Sequence, residues 1–272
     1  MNLSRRSYYY TPEDYPGDEE VATRIGDICL EFPCYGYRRV TRHLQREGWK
    51  INHKKVARIM REKSWSCKPR RRKWTATTHS RHGFPVYPNL AKNLAVTTVN
   101  QLWVSDITYI RIMTCFIYLA IILDAFSRKA VGHALSRQID TNLTLDALRM
   151  AIADRHPGPG CIHHSDRGVQ YASGDYVKEL NTYEFRVSMS RRENPYENAY
   201  AESFMKTLKS GEISLWEYRT MADVLERVPF FIEDVYNRKR LHSSLGYMPP
   251  CEYEEMVELT PNPCQDALIA LP

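Results

Sequence analysis

Three acidic residues, Asp106, Asp166 and Glu202, have surroundings that suit metal-assisted chemistry at phosphorus. Asp106 lies inside the β-branched and aromatic run Leu102-Trp-Val-Ser-Asp-Ile-Thr-Tyr-Ile110, which predicts a strand. Asp166 follows the short apolar stretch Cys161-Ile-His-His-Ser165, at an expected strand end. Glu202 falls in Asn198–Lys209, which predicts a helix. Three convergent carboxylates concentrate negative charge that divalent cations would have to neutralise. Hard oxygen ligands favour Mg²⁺ or Mn²⁺, and a pair of such ions can clamp the attacking and leaving oxygens of an in-line displacement. Taken singly, each acid reads equally well as a solvated surface charge, since the chain holds 32 Asp and Glu residues.

The elements that would have to aim these carboxylates follow from patterning. Leu102–Ile112, Cys115–Asp124 and Lys129–Leu135 read as three strands with short links, as in an antiparallel meander. Asp140 and Thr141 can start a helix with Leu145, Leu148 and Ile152 inward, and Pro157–Gly160 ends that region. A short buried strand, Cys161–His164, comes next. Ser173 then caps a helix through Asn181, and Phe185, Val187 and Met189 alternate as a fifth strand. The order βββ-α-β-α-β-α is mixed α/β, with helices covering both faces of one sheet. Beyond it, Met221, Val224, Leu225, Val228, Ile232, Val235 and Tyr236 keep a helical period, and the last dozen residues read as a loose extension.

The first third is different. Between Arg38 and Arg81 basic residues are opposed only by Glu47 and Glu62, which suggests a polyanionic partner. A helix is expected from Val21 to Phe32, stopped by Pro33, and a second from Arg38 to Glu47, stopped at Gly48. A third is capped by Asn52, with Val56, Ile59 and Met60 as its apolar stripe. Three short helices with a tight turn at Gly48–Ile51 suggest a helix-turn-helix unit. Its third helix places Lys54, Arg58 and Arg61 on one face, with Lys55 beside them, as candidates for DNA contact. A solvated basic helix is the plainer alternative.

The sequences Trp-Val-Ser-Asp-Ile-Thr-Tyr around Asp106, His-Ser-Asp-Arg-Gly-Val-Gln-Tyr around Asp166 and Asn-Pro-Tyr-Glu-Asn-Ala-Tyr-Ala-Glu-Ser-Phe around Glu202 resemble the DDE integrase core. More narrowly, they resemble the second-frame (OrfB) transposases of bacterial insertion sequences of the IS-three family. The thirty-five residues between Asp166 and Glu202 match that family's spacing. The likeness extends to Tyr35-Gly-Tyr-Arg-Arg-Val and Asn52-His-Lys-Lys-Val-Ala-Arg-Ile-Met before the core, and to Tyr236-Asn-Arg-Lys-Arg-Leu-His-Ser-Ser-Leu245 after it.

The resemblance implies a ribonuclease H-like integrase core with a mixed five-stranded sheet, preceded by a small all-α helix-turn-helix module. It divides the chain into an irregular lead-in (1–17), a DNA-binding module (18–64), a basic linker (65–99), the catalytic core (100–212) and a C-terminal helix with its extension (213–272). It implies a transposase that cleaves DNA and transfers strands with two Mg²⁺ (or Mn²⁺) ions. Asp106 would bridge both ions, and Asp166 and Glu202 would each complete one shell. Lys206 and Lys209, on the helical face of Glu202, would hold phosphate, although a Glu–Lys surface pair is an equal reading of the spacing. Asn237, Arg240 and His242 would lie near DNA or brace the core. The implied partners are insertion-sequence ends, target DNA, further copies of the chain and a first-frame (OrfA) product. A nuclease without joining activity, or a DNA-binding regulator without catalysis, are the competing functions.

Seven cysteines, odd in number and without a Cys-x-x-Cys, suggest reduced and mostly buried thiols rather than a disulfide framework. The start lacks the apolar core of a signal peptide, and the longest apolar run, Cys115–Leu123, is too short to span a bilayer. A cytoplasmic protein is expected.

Overall fold

A computed structural model describes residues 17–65, 83–113, 115–191 and 198–259. The chain divides into two compact units at residues 71/72. The lead-in before residue 17, the basic stretch Cys67–Trp74, the part of the Glu202 motif at 194–197 and the last dozen residues lie outside the described residues.

The first unit contains α1 (Asp18–Glu31), α2 (Tyr37–Arg46) and α3 (His53–Glu62). Asp18, Glu19 and Glu20 occupy the first turn of α1, where the helix dipole favours negative charge. Gly48 ends α2 at φ +90°, a conformation that a Cβ would resist. The Asn52 side chain accepts the Lys54 N–H at 2.9 Å and so caps α3 as expected. Val21, Ile25 and Ile28, with Val40, Leu44, Val56, Ile59 and Met60, form the buried interior.

The second unit is built on five strands: β1 (Leu102–Arg111), β2 (Phe116–Asp124), β3 (Ala130–Ser136), β4 (Ile162–Ser165) and β5 (Arg186–Met189). They lie in the order β3-β2-β1-β4-β5. The β1–β2 and β2–β3 pairs are antiparallel, whereas β1–β4 and β4–β5 are parallel. The period-2 alternation of β1 feeds two cores. Leu102, Val104 and Ile110 join one, covered by α7 (Ala199–Leu208) and α8 (Met221–Phe230). Trp103 joins the other, covered by α4 (Thr141–Arg155), α5 (Val169–Ala172) and α6 (Gly174–Thr182). Burying each large aliphatic side chain here is worth roughly 1.5–3 kcal/mol. On β3, a Cβ at Gly132 would stand 2.3 Å from the Ala147 carbonyl oxygen. The missing side chain is therefore what lets α4 lie against the strand.

Several expectations need correction. Leu90, Ala91, Leu94 and Val96, expected in an exposed linker, pack against the core, and the Leu90 N–H donates to Ser188 Oγ at 2.8 Å. Apolar side chains in that stretch have a ready place to bury, which charge and composition alone do not reveal. The helix begun at Met221 does not keep its 3.6 period. It widens into a π-helix over Phe231–Lys239, directly after Pro229, whose ring lacks an N–H and crowds the preceding turn. A further helix not expected from patterning, α9 (Pro250–Leu259), starts at a proline. Proline is well suited to a first helical position because its absent N–H would have had no helical partner. Cys115 is exposed at the β1–β2 hairpin, while Cys161 is buried; both thiols are free. Among the described residues, no helix is long and apolar enough to cross a membrane.

Candidate active site

Strand register decides which face each carboxylate occupies. Asp106 shares the parity of Leu102, Val104 and Ile110, and Asp166 shares that of Ile162, all of which face the α7–α8 side. The buried face of α7, carrying Ala201, Phe204, Met205 and Leu208, packs into that same core. Glu202 stands exposed at its margin, one residue after Ala201. The three acids are therefore on one side of the sheet.

Asp106 is half-buried and accepts the N–H of Ile107 at 2.9 Å. Burial, and then the negative charge of Asp166, push its carboxyl up to about 7, against the opposing influence of the Ile107 N–H and Lys209; Glu202 adds a smaller push upward. Asp166 sits just past β4, where its Oδ1 accepts the Gly168 N–H at 2.9 Å. A Cβ on Gly168 would lie 3.0 Å from that same oxygen. Gly168 thus shapes the turn that presents the second carboxylate. Among the described residues, no three His, Cys, Asp or Glu side chains are close enough to form a metal cluster as they stand. Bringing three carboxylates into one coordination sphere costs like-charge repulsion, which only a cation offsets. Asp166 and Glu202 lie near enough to Asp106 for their charges to act on its carboxyl.

The histidines before Asp166 are accounted for within the fold. The Tyr176 hydroxyl lies 2.9 Å from His163 Nε2, and burial pushes that imidazole down to about 3. His164 Nδ1 lies 2.8 Å from Ser188 Oγ. Asp124 ends β2 and orients the following turn: Oδ1 accepts the Phe126 and Ser127 N–H groups, and Oδ2 accepts that of Asn100.

The basic candidates divide. Lys206 and Lys209 are exposed on the helical edge of Glu202, and the Lys209 ammonium lies 5.5 Å from the centre of the Tyr109 ring. Asn237 braces the core: its amide donates to the Ala130 carbonyl and accepts the Ala130 N–H, both at 2.9 Å. Arg240 is buried, and His242 packs edge-on against Tyr236 at 4.8 Å. Of the two roles open to Asn237, near DNA or bracing the core, its bonds to Ala130 favour bracing. In the first unit Lys54 and Arg61 are exposed. Asp18 pairs with Lys55 at 2.9 Å and Arg58 at 2.6 Å, and Arg58 also meets Glu62. One residue that the sequence motifs do not single out is Asn198, whose amide donates to the Ser105 carbonyl at 2.9 Å. Its partner is 93 positions away, so no local pattern announces it.

Comparison with known proteins agrees with this geometry. Residues 96–195 and 183–250 each match a family model described as an integrase core domain, and residues 16–73 match one described as an HTH-like domain. The chain is 35% identical over 262 residues to the insertion element IS600 uncharacterized 31 kDa protein of Shigella sonnei, covering 94% of this chain and 96% of that one. It is 37% identical over 223 residues to the transposase for insertion sequence element IS904 of Lactococcus lactis, covering 81% and 87%. It is 36% identical over 222 residues to transposase InsF for insertion sequence IS3A of Escherichia coli, covering 81% and 76%.

Proposed function

The chain belongs to the IS3 family of insertion-sequence transposases with an integrase core, and from that premise we propose that Asp106, Asp166 and Glu202 cleave DNA and transfer its strands with two bound divalent cations. The observation that carries this reading is the placement of all three acids on one side of the sheet, with Asp106 held in an environment that opposes its own ionisation.

The residues fit Mg²⁺ or Mn²⁺. They offer hard carboxylate oxygens, and burial beside Asp166 leaves negative charge that a divalent cation would offset. Asp106, Asp166 and Glu202 would hold the ions. When bound, the ions supply an activated water or DNA 3′-hydroxyl and stabilise the leaving oxygen. Ile107 and Gly168 hold the first two carboxylates by backbone donation, so their orientation is set before substrate arrives. Lys206 and Lys209 border Glu202 and would neutralise the phosphates entering the site.

The module of α1–α3 would grip double-stranded DNA through exposed Lys54 and Arg61. Lys55 and Arg58 would exchange Asp18 for phosphate or base edges, and such exposed ion pairs hold only about 0–1 kcal/mol. Residues 18–64 and 100–212 are then the binding and catalytic units. Further copies of the chain and a first-frame product would complete the assembly on DNA.

The test is to incubate labelled insertion-sequence ends with the protein, Mg²⁺ and target DNA, and to resolve cut and joined products. Joined products are expected. Cutting without joining would favour a hydrolytic nuclease, and neither product, alone or with the first-frame partner, would defeat the reading.

A further inference from the structure

The parallel ladder between β1 and β4 ends at Val104 opposite His164. On that side of β1 the carbonyls of odd-numbered residues face β4: Gln101 accepts the Ile162 N–H at 3.0 Å, whereas the Leu102 carbonyl points the other way and accepts the Ala125 N–H. Parallel pairing advances both strands by two residues per step. A continued ladder would therefore bring the N–H of Asp166 to the carbonyl of Ser105. Instead, Ser105 O accepts from the Asn198 side-chain Nδ2 at 2.9 Å. The site's first two acidic elements separate at this point. Asp106 follows Ser105 along β1, and Asp166 leaves β4 to turn back on Gly168.

Asn198 is also the residue from which α7 begins, four positions before Glu202. Its side chain does not cap that helix. The residue is only 7% exposed, and its Oδ1 is buried without a hydrogen-bond partner among the described residues. A buried amide with one end unused is costly unless the end that is used does something necessary. We propose that Asn198 is a positioning residue: a latch that takes the place of the missing ladder bond and fixes the start of the Glu202 helix to the strand of Asp106. Through that one bond the third metal-binding carboxylate is held in register with the first two. The inference rests on the three acids forming the cation site.

The test separates the latch from the helix start. Asn198→Ser keeps a residue well suited to a helix start but too short to span to Ser105, and Asn198→Ala removes the polar group altogether. For the full chain, Mn²⁺ binding would be followed by paramagnetic resonance, alongside the Mg²⁺ dependence of end cleavage and the melting temperature. Both variants are expected to need about tenfold more metal, in binding and in cleavage, as is usual when a residue supporting metal ligands is removed. Saturating metal should restore most of the cleavage rate, and the serine variant should melt close to wild type. Unchanged metal affinity in a folded serine variant would overturn the latch, whatever happens to rate or melting. Asp106→Asn serves as the control. If it abolishes Mn²⁺ binding while the Asn198 variants bind Mn²⁺ as tightly as wild type, the latch fails and the metal site stands. If it leaves Mn²⁺ binding unaltered, the metal site fails and the latch with it.

Discussion

Asp106 and Asp124 are carried by adjacent antiparallel strands, yet their surroundings differ in kind. Asp124 is fully buried, receives three backbone N–H groups and has the Arg155 guanidinium at 3.9 Å. Arg155 is in turn held by Glu254 through two bonds of 2.8 and 2.9 Å, and Lys129 meets the same carboxylate. Burial pushes Glu254 upward, but the bonds from Arg155 and Ser127 and the nearby cations outweigh it and hold the carboxyl below its usual range. Among the described residues, Asp106 has one hydrogen-bond donor, Ile107, with Lys209 acting on it and another acid at its side. Burial pushes both carboxyls upward, but Asp124 is opposed by three backbone N–H groups and Arg155, whereas at Asp106 the charge of Asp166 adds to the push. An acid perturbed by burial and by a second acid marks a candidate functional site.

The sharpest way to break this contrast is Asp106→Asn. If the site works through cations, cleavage and joining should fall by at least about a thousandfold, because the neutral amide is a poor ligand. End-labelled substrates would reveal it; retained turnover in a preparation free of contaminating nuclease would erase the distinction. The same variant should have the opposite effect on stability. Asp106 ionises near pH 7 in the folded chain and at about 3.9 when unfolded, so between those values the folded state binds more protons. Wild-type stability in chelator should therefore fall as pH rises from about 4 to 7 and level off above. Asp106→Asn should lack that loss and gain on the order of 1–3 kcal/mol at pH 8, after allowing for the solvent that reaches a half-open site.

Glu254→Ala probes the other centre. It would leave Arg155 enclosed without its bidentate partner, at a cost of about 3 kcal/mol, read as a lower urea midpoint with unchanged slope. Activity per folded molecule should survive. A variant as stable as wild type would mean that the Asp124–Arg155–Glu254 group does not secure the fold.

The smallest effect is expected in the first unit. Replacing Lys54 and Arg61 with alanine should reduce the salt dependence of DNA binding by about 0.9 in log–log slope for each phosphate no longer neutralised. The buried Val56, Ile59 and Met60 are untouched, so helicity should be retained. An unchanged slope would place the DNA grip elsewhere.

The strands were legible in the sequence because each combines β-branched alternation with a definite turn, and the carboxylates because their flanking motifs are long. Helix caps at Asn52, Asp140 and Ser173 were equally open, being local side chain to backbone bonds. What escaped was nonlocal. Asn198 reads as one more polar helix-start residue until Ser105 is placed beside it, and spacing leaves Asn237 open between DNA and the core until Ala130 occupies both ends of its amide. Helix α9, which patterning did not announce, opens at Pro250. Proline restricts both boundaries of a helix, and the sequence alone does not say which.

The Arg155–Glu254 bond also sets a timetable. Its two residues are 99 positions apart, so a ribosome adding about 5–20 residues per second delivers the glutamate about 5–20 s after the arginine. The sheet can collapse during that interval, but α4 ends in a guanidinium whose bidentate partner has not yet been made. Nascent chains broken off before residue 254 would enter the cell with that defect and should be preferred substrates for proteolysis. Quality control of this DNA-cutting enzyme is thereby written into a helix that is translated late.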